Sequence, residues 1–257
     1  MLLLIDIGNT NITVGVSKAA KLIGNWRIST TSFGTPDEIW FLLHTLFDSE
    51  SLSVDEFSGA SICSVVTKLT SVVKQLLSEK LEIPVINVTN ELDLAIKIDY
   101  EKPDSVGADR ICNAVAGYEK YGGPLVIVDF GTATTFDVIS HKGEYLGGII
   151  APGPETSIAT LHAAAAKLPS VELQFPPHLI GKNTETSMQS GIMLGTIAMI
   201  DGLNLSLIQE LGSSTQLVAT GGLAGNFFNE LKTVDILEPN LTLTGLQLIF
   251  DCCMCGK

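Results

Sequence analysis

The sequence predicts an α/β protein built twice over: two units, each a mixed five-stranded sheet flanked by helices. Three observations predict it. The order of elements in the first half, three strands joined by tight turns and then alternating helix and strand, recurs in the second. Two segments, LLIDIGNTNITVGV and VIVDFGTATTFDVI, share one pattern: apolar run, Asp, apolar residue, Gly, small polar residues, second strand. Their aspartates, Asp6 and Asp129, lie 123 positions apart, an offset too long for a solenoid repeat and suited to a duplicated domain. Finally, 257 residues that are 46% hydrophobic and 17% charged are enough for two cores and describe a globular chain.

Each element has its own signal. Leu2 to Ile7 is an apolar run broken by one Asp, as in a central strand; Gly8-Asn9-Thr10 turns it into a second strand, Asn11 to Val16, and Leu22 to Ser29 is a third. Pro36-Asp37-Glu38 opens a helix to about Phe47, with Pro and acids in its first turn. A strand at Ala60 to Val65, a helix at Leu69 to Glu79 and a strand at Val85 to Val88 follow. The second half begins with a helix, Gly107 to Tyr121, then strands Leu125 to Asp129, Thr134 to Ser140 and Glu144 to Ile150. Helical stretches at Glu155 to Lys167 and Thr184 to Leu211 precede a strand at Gln216 to Thr220. A Gly-rich turn, a helix near Leu223 to Leu231, a strand at Val234 to Leu237 and a helix from Thr242 to about Cys253 complete the chain. With no low-complexity linker, the division falls within Asp99 to Ser105, giving units 1–104 and 105–257.

Composition also excludes. A net charge of −13, from 28 acidic and 15 basic residues, argues against nucleic acid or an anionic membrane as the main partner, since both demand a basic surface. No apolar run reaches the roughly 18 residues that cross a bilayer, and the opening MLLLIDIGNT lacks a basic leader region and carries Asp6. Five cysteines, an odd number with Cys63 and Cys112 isolated, suit a reduced, cytoplasmic protein. Cys252-Cys253-Met254-Cys255 has no second ligand pair to complete a zinc site and reads as a frayed tail.

The paired hairpins carry the chemistry. A Gly turn after a buried strand lets backbone N–H groups approach a phosphate closely, and Asn9, Thr10, Asn11, Thr132, Thr134 and Thr135 add side-chain donors. A carboxylate at the strand end repels phosphate directly but orients a hydrated Mg²⁺ or another cation that neutralises it. One Asp-x-Gly-x-Thr is an ordinary turn; two in matching places of a duplicated fold point to a phosphate clamp. Val218-Ala219-Thr220-Gly221-Gly222 adds a strand ending in glycines against which a flat base can lie. The order phosphate loop, phosphate loop, adenosine loop resembles the actin, hexokinase and Hsp70-like ATPase superfamily, which implies two actin-like (ribonuclease H-like) domains with an ATP cleft between them.

A narrower resemblance rests on Asp6-Ile7-Gly8-Asn9-Thr10-Asn11, Gly107-Ala108-Asp109-Arg110, Val128 to Thr135 and Gly147-Gly148-Ile149-Ile150-Ala151-Pro152-Gly153, with Trp26 to Thr30 and Gly181 to Thr184 fitting as well. Together these are similar to type III pantothenate kinases, from the first strand to the last helix. The resemblance implies phosphorylation of pantothenate by ATP with Mg²⁺, the first committed step of coenzyme A synthesis, in a cytoplasmic homodimer that requires a monovalent cation (K⁺ or NH₄⁺). It also implies roles. Asp6, Ile7, Gly8, Asn9, Thr10, Asn11, Ile12 and Thr13 form the first ATP loop and Thr132 contacts ATP. Asp109 is the proton acceptor, Asp129 binds K⁺, and Tyr100, Gly107, Ala108, Asp109, Arg110 and Thr184 bind pantothenate.

The residues themselves agree in part. An alcohol becomes a good nucleophile when a base takes its proton, and Asp109 opens a predicted helix beside Arg110, where the dipole and the guanidinium favour its ionised form. Arg110 suits a carboxylate through paired hydrogen bonds. Spacing alone equally describes a surface pair at a helix start, and it leaves open whether Asp129 holds a monovalent cation or Mg²⁺ through water. Two other functions stay open as well: a small-molecule (sugar) kinase of the same superfamily, and a catalytically silent regulatory homologue.

Overall fold

A computed structural model describes residues 1–165 and 168–255. The chain forms two compact units, one of Met1–Lys120 with Leu241–Lys257 and one of Tyr121–Asn240.

The first unit is built on β1 (Leu2–Ile7), β2 (Asn11–Lys18), β3 (Lys21–Ser29), β4 (Gly59–Ser64) and β5 (Val85–Asn87), side by side in the order β3-β2-β1-β4-β5. The three strands of the meander pair antiparallel, while β1–β4 and β4–β5 pair parallel. β1 is apolar on both faces because both are covered; only Asp6 among Leu2 to Ile7 is less than fully buried. β3, at the edge, alternates exposed and half-buried residues. On one face lie α1 (Pro36–Ser49) and α2 (Thr67–Leu81). Thr35 caps α1 through a reciprocal bond with Glu38, Pro36 starts it, and Ile39, Leu43 and Phe47, four apart, form its buried stripe. Those residues join Leu3, Ile5, Ile7, Ile12, Val14, Ile62, Val73 and Leu77 in one core. A short strand, β6 (Lys97–Ile98), precedes α3 (Ala108–Tyr121).

The last helix, α8 (Leu241–Cys255), returns to this unit and packs on β1 and β4. A Cβ on Gly245 would sit 2.1 Å from the Cys112 carbonyl oxygen of α3, so the two helices meet backbone to backbone. Thr242 Oγ1 bonds the buried Asn113 Oδ1 at 2.8 Å, and Ser17 of β2 bonds Gln247. These contacts group residues 105–120 and α8 with the first half, where the sequence divides the chain at 104/105.

The second unit repeats the plan. β7 (Leu125–Phe130), β8 (Ala133–Ile139), β9 (Glu144–Pro152), β10 (Gln216–Thr220) and β11 (Ile236–Leu237) are this unit's five members of a six-stranded sheet, one strand more than expected, in the order β11-β10-β7-β8-β9, with antiparallel and parallel pairs where the first unit has them. β7 repeats the burial of β1 position by position. The register of the second strand with the third shifts between Val16 and Ser17 in one unit and between Val138 and Ile139 in the other, so even the irregularity is duplicated. The turns differ: Gly8–Thr10 separates β1 from β2, but only Gly131 and Thr132 separate β7 from β8. Beyond the turn, therefore, Thr13 corresponds to Thr135, and each is the cross-strand partner of its aspartate. A gapless comparison of the two segments misaligns these residues by one.

Around this sheet, α4 (Pro154–Ala164) follows β9; residues 166–167 of the helix expected to Lys167 lie outside the described residues. α5 (Thr184–Gln189), a π-helical turn (Ser190–Leu194) and α6 (Gly195–Leu211) run on without a break. The helix expected at Leu223 to Leu231 is shorter, α7 (Ala224–Phe227) with a 3₁₀ turn at Phe228–Glu230. The core joins Val126, Val128, Phe130, Phe136, Ile200 and Phe227, with Phe130 stacked on Phe227 at 5.2 Å.

The 28-residue helix Thr184–Leu211 is long and apolar enough to cross a bilayer by length and composition, although it contains no uninterrupted apolar run of that length. Here it is anchored in the unit: Asp201 accepts from Thr233 Oγ1 (2.7 Å) and from the Thr233 and Lys232 backbone, and the buried Asn204 donates to Thr233. The cysteine tail is not frayed, since α8 stays helical to Cys255 and Cys252 Sγ bonds the Asp93 carbonyl at 3.6 Å.

The contact of Gly245 with α3 predicts that Gly245→Ala forces the two helices apart. A loss of roughly 1–3 kcal/mol is expected for such overpacking, lowering the melting temperature by about 2–12 °C. A variant melting with the parent in calorimetry contradicts the contact.

Candidate active site

Both turns are latched from behind by the segment that follows the third strand. In the first unit Gly8 N donates to Asn11 O (2.9 Å), Thr30 Oγ1 donates to Gly8 O (2.7 Å), and Thr30 N donates to Thr10 O (2.9 Å). In the second, Gly131 N donates to Ala133 O, and Thr132 O accepts from both Gly153 N (3.1 Å) and Thr156 Oγ1 (2.6 Å). The latches hold Asn9, Thr10 and Thr132 exposed at the turn tips. Of the residues expected at ATP, Ile7 and Ile12 are fully buried and offer a ligand only their backbone, while Gly8, Asn11 and Thr13 are half-buried.

Asp6 occupies the fifth of the six positions of β1, half-buried, on the same sheet face as its register partners Thr13 and Cys63. Cys63, fully buried, donates its thiol to Asp6 Oδ1 at 3.2 Å. The same face carries α3. Gly107 precedes that helix, and Asp109 folds back over it: Arg110 N donates to Asp109 Oδ1 at 2.8 Å, and a Cβ on Gly107 would stand 2.4 Å from that oxygen. Only glycine admits this carboxylate conformation without displacement. One turn on, Cys112 is fully buried and within hydrogen-bond reach of Cys63. Burial pushes the Cys63 thiol well above the usual thiol range, aided by the bond with Cys112 and by the charges of Asp6 and Asp109. Cys112 is raised as well, chiefly by burial. Asp6 and Asp109 therefore flank one pair of buried, protonated thiols.

In the second unit Asp129 has Thr135 and Thr220 as register partners. The turn after β10 closes over it: Gly221 has φ +95°, and a Cβ there would meet Asp129 Oδ1 at 2.3 Å and Phe130 N at 2.6 Å. Thr220, buried, turns its hydroxyl to Glu238 O instead. Asp137 lies wholly buried and accepts from Tyr145 Oη at 2.8 Å, a core residue of the sheet.

The residues expected at pantothenate are distributed. Tyr100, 41% exposed, follows β6 in the first unit. Gly107 and Ala108 line a pocket of about 510 Å³ shared with Ser71, Lys74, Asn87 and Asn90. Arg110 is half-buried. Thr184 belongs to the other unit, where it is exposed as the first residue of α5, behind the cap that Asn183 Oδ1 gives Thr186 N.

Among the described residues no three His, Cys, Asp or Glu side chains gather as a metal cage. The half-buried carboxylates of Asp6 and Asp129 at the strand ends are oxygen donors of the kind that Mg²⁺, which keeps waters and takes one or two carboxylates, or a monovalent cation would accept. Cys63, Cys112, Thr30, Thr156 and Gly153 escape sequence reasoning as parts of the site, because what they do depends on register between strands far apart in the chain.

The thiol environment has a direct consequence. A raised pKa lowers the thiolate fraction at any given pH, and thiolate is the species that alkylates. Iodoacetamide at pH 8 is expected to label the exposed Cys252 in native protein and to spare Cys63 and Cys112 until denaturant is added. Mass-spectrometric labelling of Cys63 at the rate of Cys252 contradicts the burial.

The family model for type III pantothenate kinase matches residues 2–205. A type III pantothenate kinase of Moorella thermoacetica is 45% identical over 98% of this chain and 99% of its own, and one of Pelobacter propionicus is 43% identical with the same coverage. In fold, the chain resembles a Campylobacter jejuni protein described as a Baf family transcriptional activator (TM-score 0.61, 22% identity, 97% of each chain). It also resembles MreB 5 of Spiroplasma citri (TM-score 0.54, 12% identity, 99% of this chain and 97% of that one). With the family model matching most of the chain and near-complete coverage of its relatives in both directions, the chain belongs to the type III pantothenate kinase family.

Proposed function

We propose that this chain transfers the γ-phosphoryl group of ATP to the primary hydroxyl of pantothenate, giving ADP and 4′-phosphopantothenate, the entry to coenzyme A. The observation that carries this is the 45% identity over 98% of the chain to a type III pantothenate kinase. The placement of Asp109 supports it: the carboxylate is held at the start of α3 by Arg110 N, over a glycine, and shares the buried thiols with Asp6.

In the reaction, the hydroxyl oxygen of pantothenate forms a bond to the γ-phosphorus, the bond from that phosphorus to the β–γ bridging oxygen breaks, and ADP leaves. Asp109 accepts the hydroxyl proton as the new bond forms. The Gly8–Thr10 and Gly131–Thr132 turns present backbone N–H groups and the hydroxyls of Thr10 and Thr132 to the phosphates. Gly107, Ala108, Arg110, Tyr100 and Thr184 bind pantothenate, Arg110 pairing with its carboxylate. Mg²⁺ and a monovalent cation at Asp129, when bound, neutralise the phosphate charge.

The protein acts in the cytoplasm as a homodimer. In support, only 22% of the most apolar window of Thr184–Leu211 is buried within one chain, Leu205 is 54% exposed, and Leu179 and Ile180 before it are each 72% exposed. An apolar surface of that kind is characteristic of an interaction face.

The test is ADP release by purified protein with Mg-ATP and pantothenate, in K⁺ and then in Na⁺ buffer. Turnover that depends on K⁺ and falls about 10²- to 10⁴-fold in Asp109→Asn, as loss of a general base does, is the expected result. Release with sugars but not with pantothenate overturns the substrate, and nucleotide binding without turnover points to a regulatory protein. Full activity in Asp109→Asn removes its role. In sedimentation the active species is expected to be a dimer; a fully active monomer contradicts the assembly.

A further inference from the structure

We infer that Cys63 and Cys112 are positioning residues for the phosphoryl transfer: the Cys63 thiol holds the Asp6 carboxylate, and Cys112 ties that thiol to the helix carrying Asp109. The inference rests on the assignment of Asp6 to the nucleotide loop proposed above.

A buried cysteine commonly serves as a small apolar filler. Four observations separate this pair from that role. Asp6 and Cys63 are register partners on adjacent parallel strands, so their side chains leave the sheet on the same face. The Sγ to Oδ1 separation of 3.2 Å is a hydrogen bond, not a packing contact. Cys112 stands three residues after Asp109 on α3, on the same helix face. The pseudo-equivalent of Cys63 in the second unit is Thr220, whose hydroxyl donates to Glu238 O, so the thiol is particular to the first unit.

The direction of the bonds follows from the acceptors. A carboxylate outcompetes a sulfur, so the single Cys63 proton goes to Asp6 Oδ1, with the Cys112 side chain standing beside that thiol. Both thiols are fully buried and their acidity is suppressed, so they stay donors wherever the enzyme works. The result is a short chain of contacts from the strand end that faces nucleotide to the helix that bears the proton acceptor. Backbone contact of Gly245 with Cys112 braces it from behind.

The experiment compares Cys63→Ala, Cys63→Ser and Asp6→Asn by calorimetric binding of Mg-AMPPNP, together with the KM for each substrate, kcat and the melting temperature. Removing one weak donor to a charged acceptor is expected to weaken analogue binding by about 3- to 10-fold in Cys63→Ala, to raise the KM for ATP in step, and to leave the KM for pantothenate within about twofold. Cys63→Ser, with an O–H donor in place, is expected to recover most of the loss whatever its melting temperature. Parent-like binding in Cys63→Ala, no rescue by serine, or equal rises in both KM values each overturn the inference. Asp6→Asn tells the two levels apart: parent-like binding there overturns the assignment of Asp6 itself and the inference with it. Should Cys63→Ala fail to fold, Cys112→Ala carries the test, with a weakening of about 2- to 3-fold expected and parent-like binding overturning the relay.

Discussion

A carboxylate near the end of a buried central strand has to be met by its neighbours, and both units are organised around that demand. Asp6 and Asp129 each take the fifth place of a six-residue strand whose other members are all buried. Each is half-buried there, and a carboxylate withdrawn from water without a partner is costly. The two units answer differently. Beside Asp6 the neighbouring strand supplies a thiol. Beside Asp129, Gly221, in the left-handed region, brings bare backbone close to the carboxylate. The same strand ends launch the turns proposed to face phosphate, so the electrostatics of the core and of the proposed ligand site are one problem.

The turns need rigidity as well as reach. A loop that binds phosphate through backbone N–H groups gains by having them already aimed, since ordering a residue on binding opposes affinity. Thr30 in one unit, Gly153 and Thr156 in the other, hold the turn carbonyls from behind. Each latch comes from the residues just after the third strand, so the meander both builds the turn and locks it.

Much of this was legible in the sequence. Continuous apolar runs identified β1 and β7, Pro36 and the acids beside it identified the start of α1, and the recurring Asp-x-Gly pattern identified the duplication and both turns. What was hidden depends on pairing at a distance. The one-residue difference between the turns moves Thr13 opposite Thr135, which a gapless comparison cannot show. Cys63 gives no local sign of its bond to Asp6, because that bond depends on parallel register between β1 and β4, and the two residues lie 57 positions apart in the chain. α8 carries an ordinary apolar helix pattern; only Gly245 and its contact with Cys112 reveal which unit it completes. The boundary expected at 104/105 followed composition, whereas the compact units follow packing.

That return of the last helix has a consequence for biogenesis. The second unit is one unbroken stretch, Tyr121–Asn240, and its contacts are available as soon as it emerges from the ribosome. The first unit is interrupted: β1 is made at the outset, and the helix that covers it begins only at Leu241. At about 5–20 residues per second, the inner face of β1 and β4 waits roughly 10–50 s for its lid. During that interval an apolar strand is exposed in the nascent chain, and the segment translated in between has time to fold first.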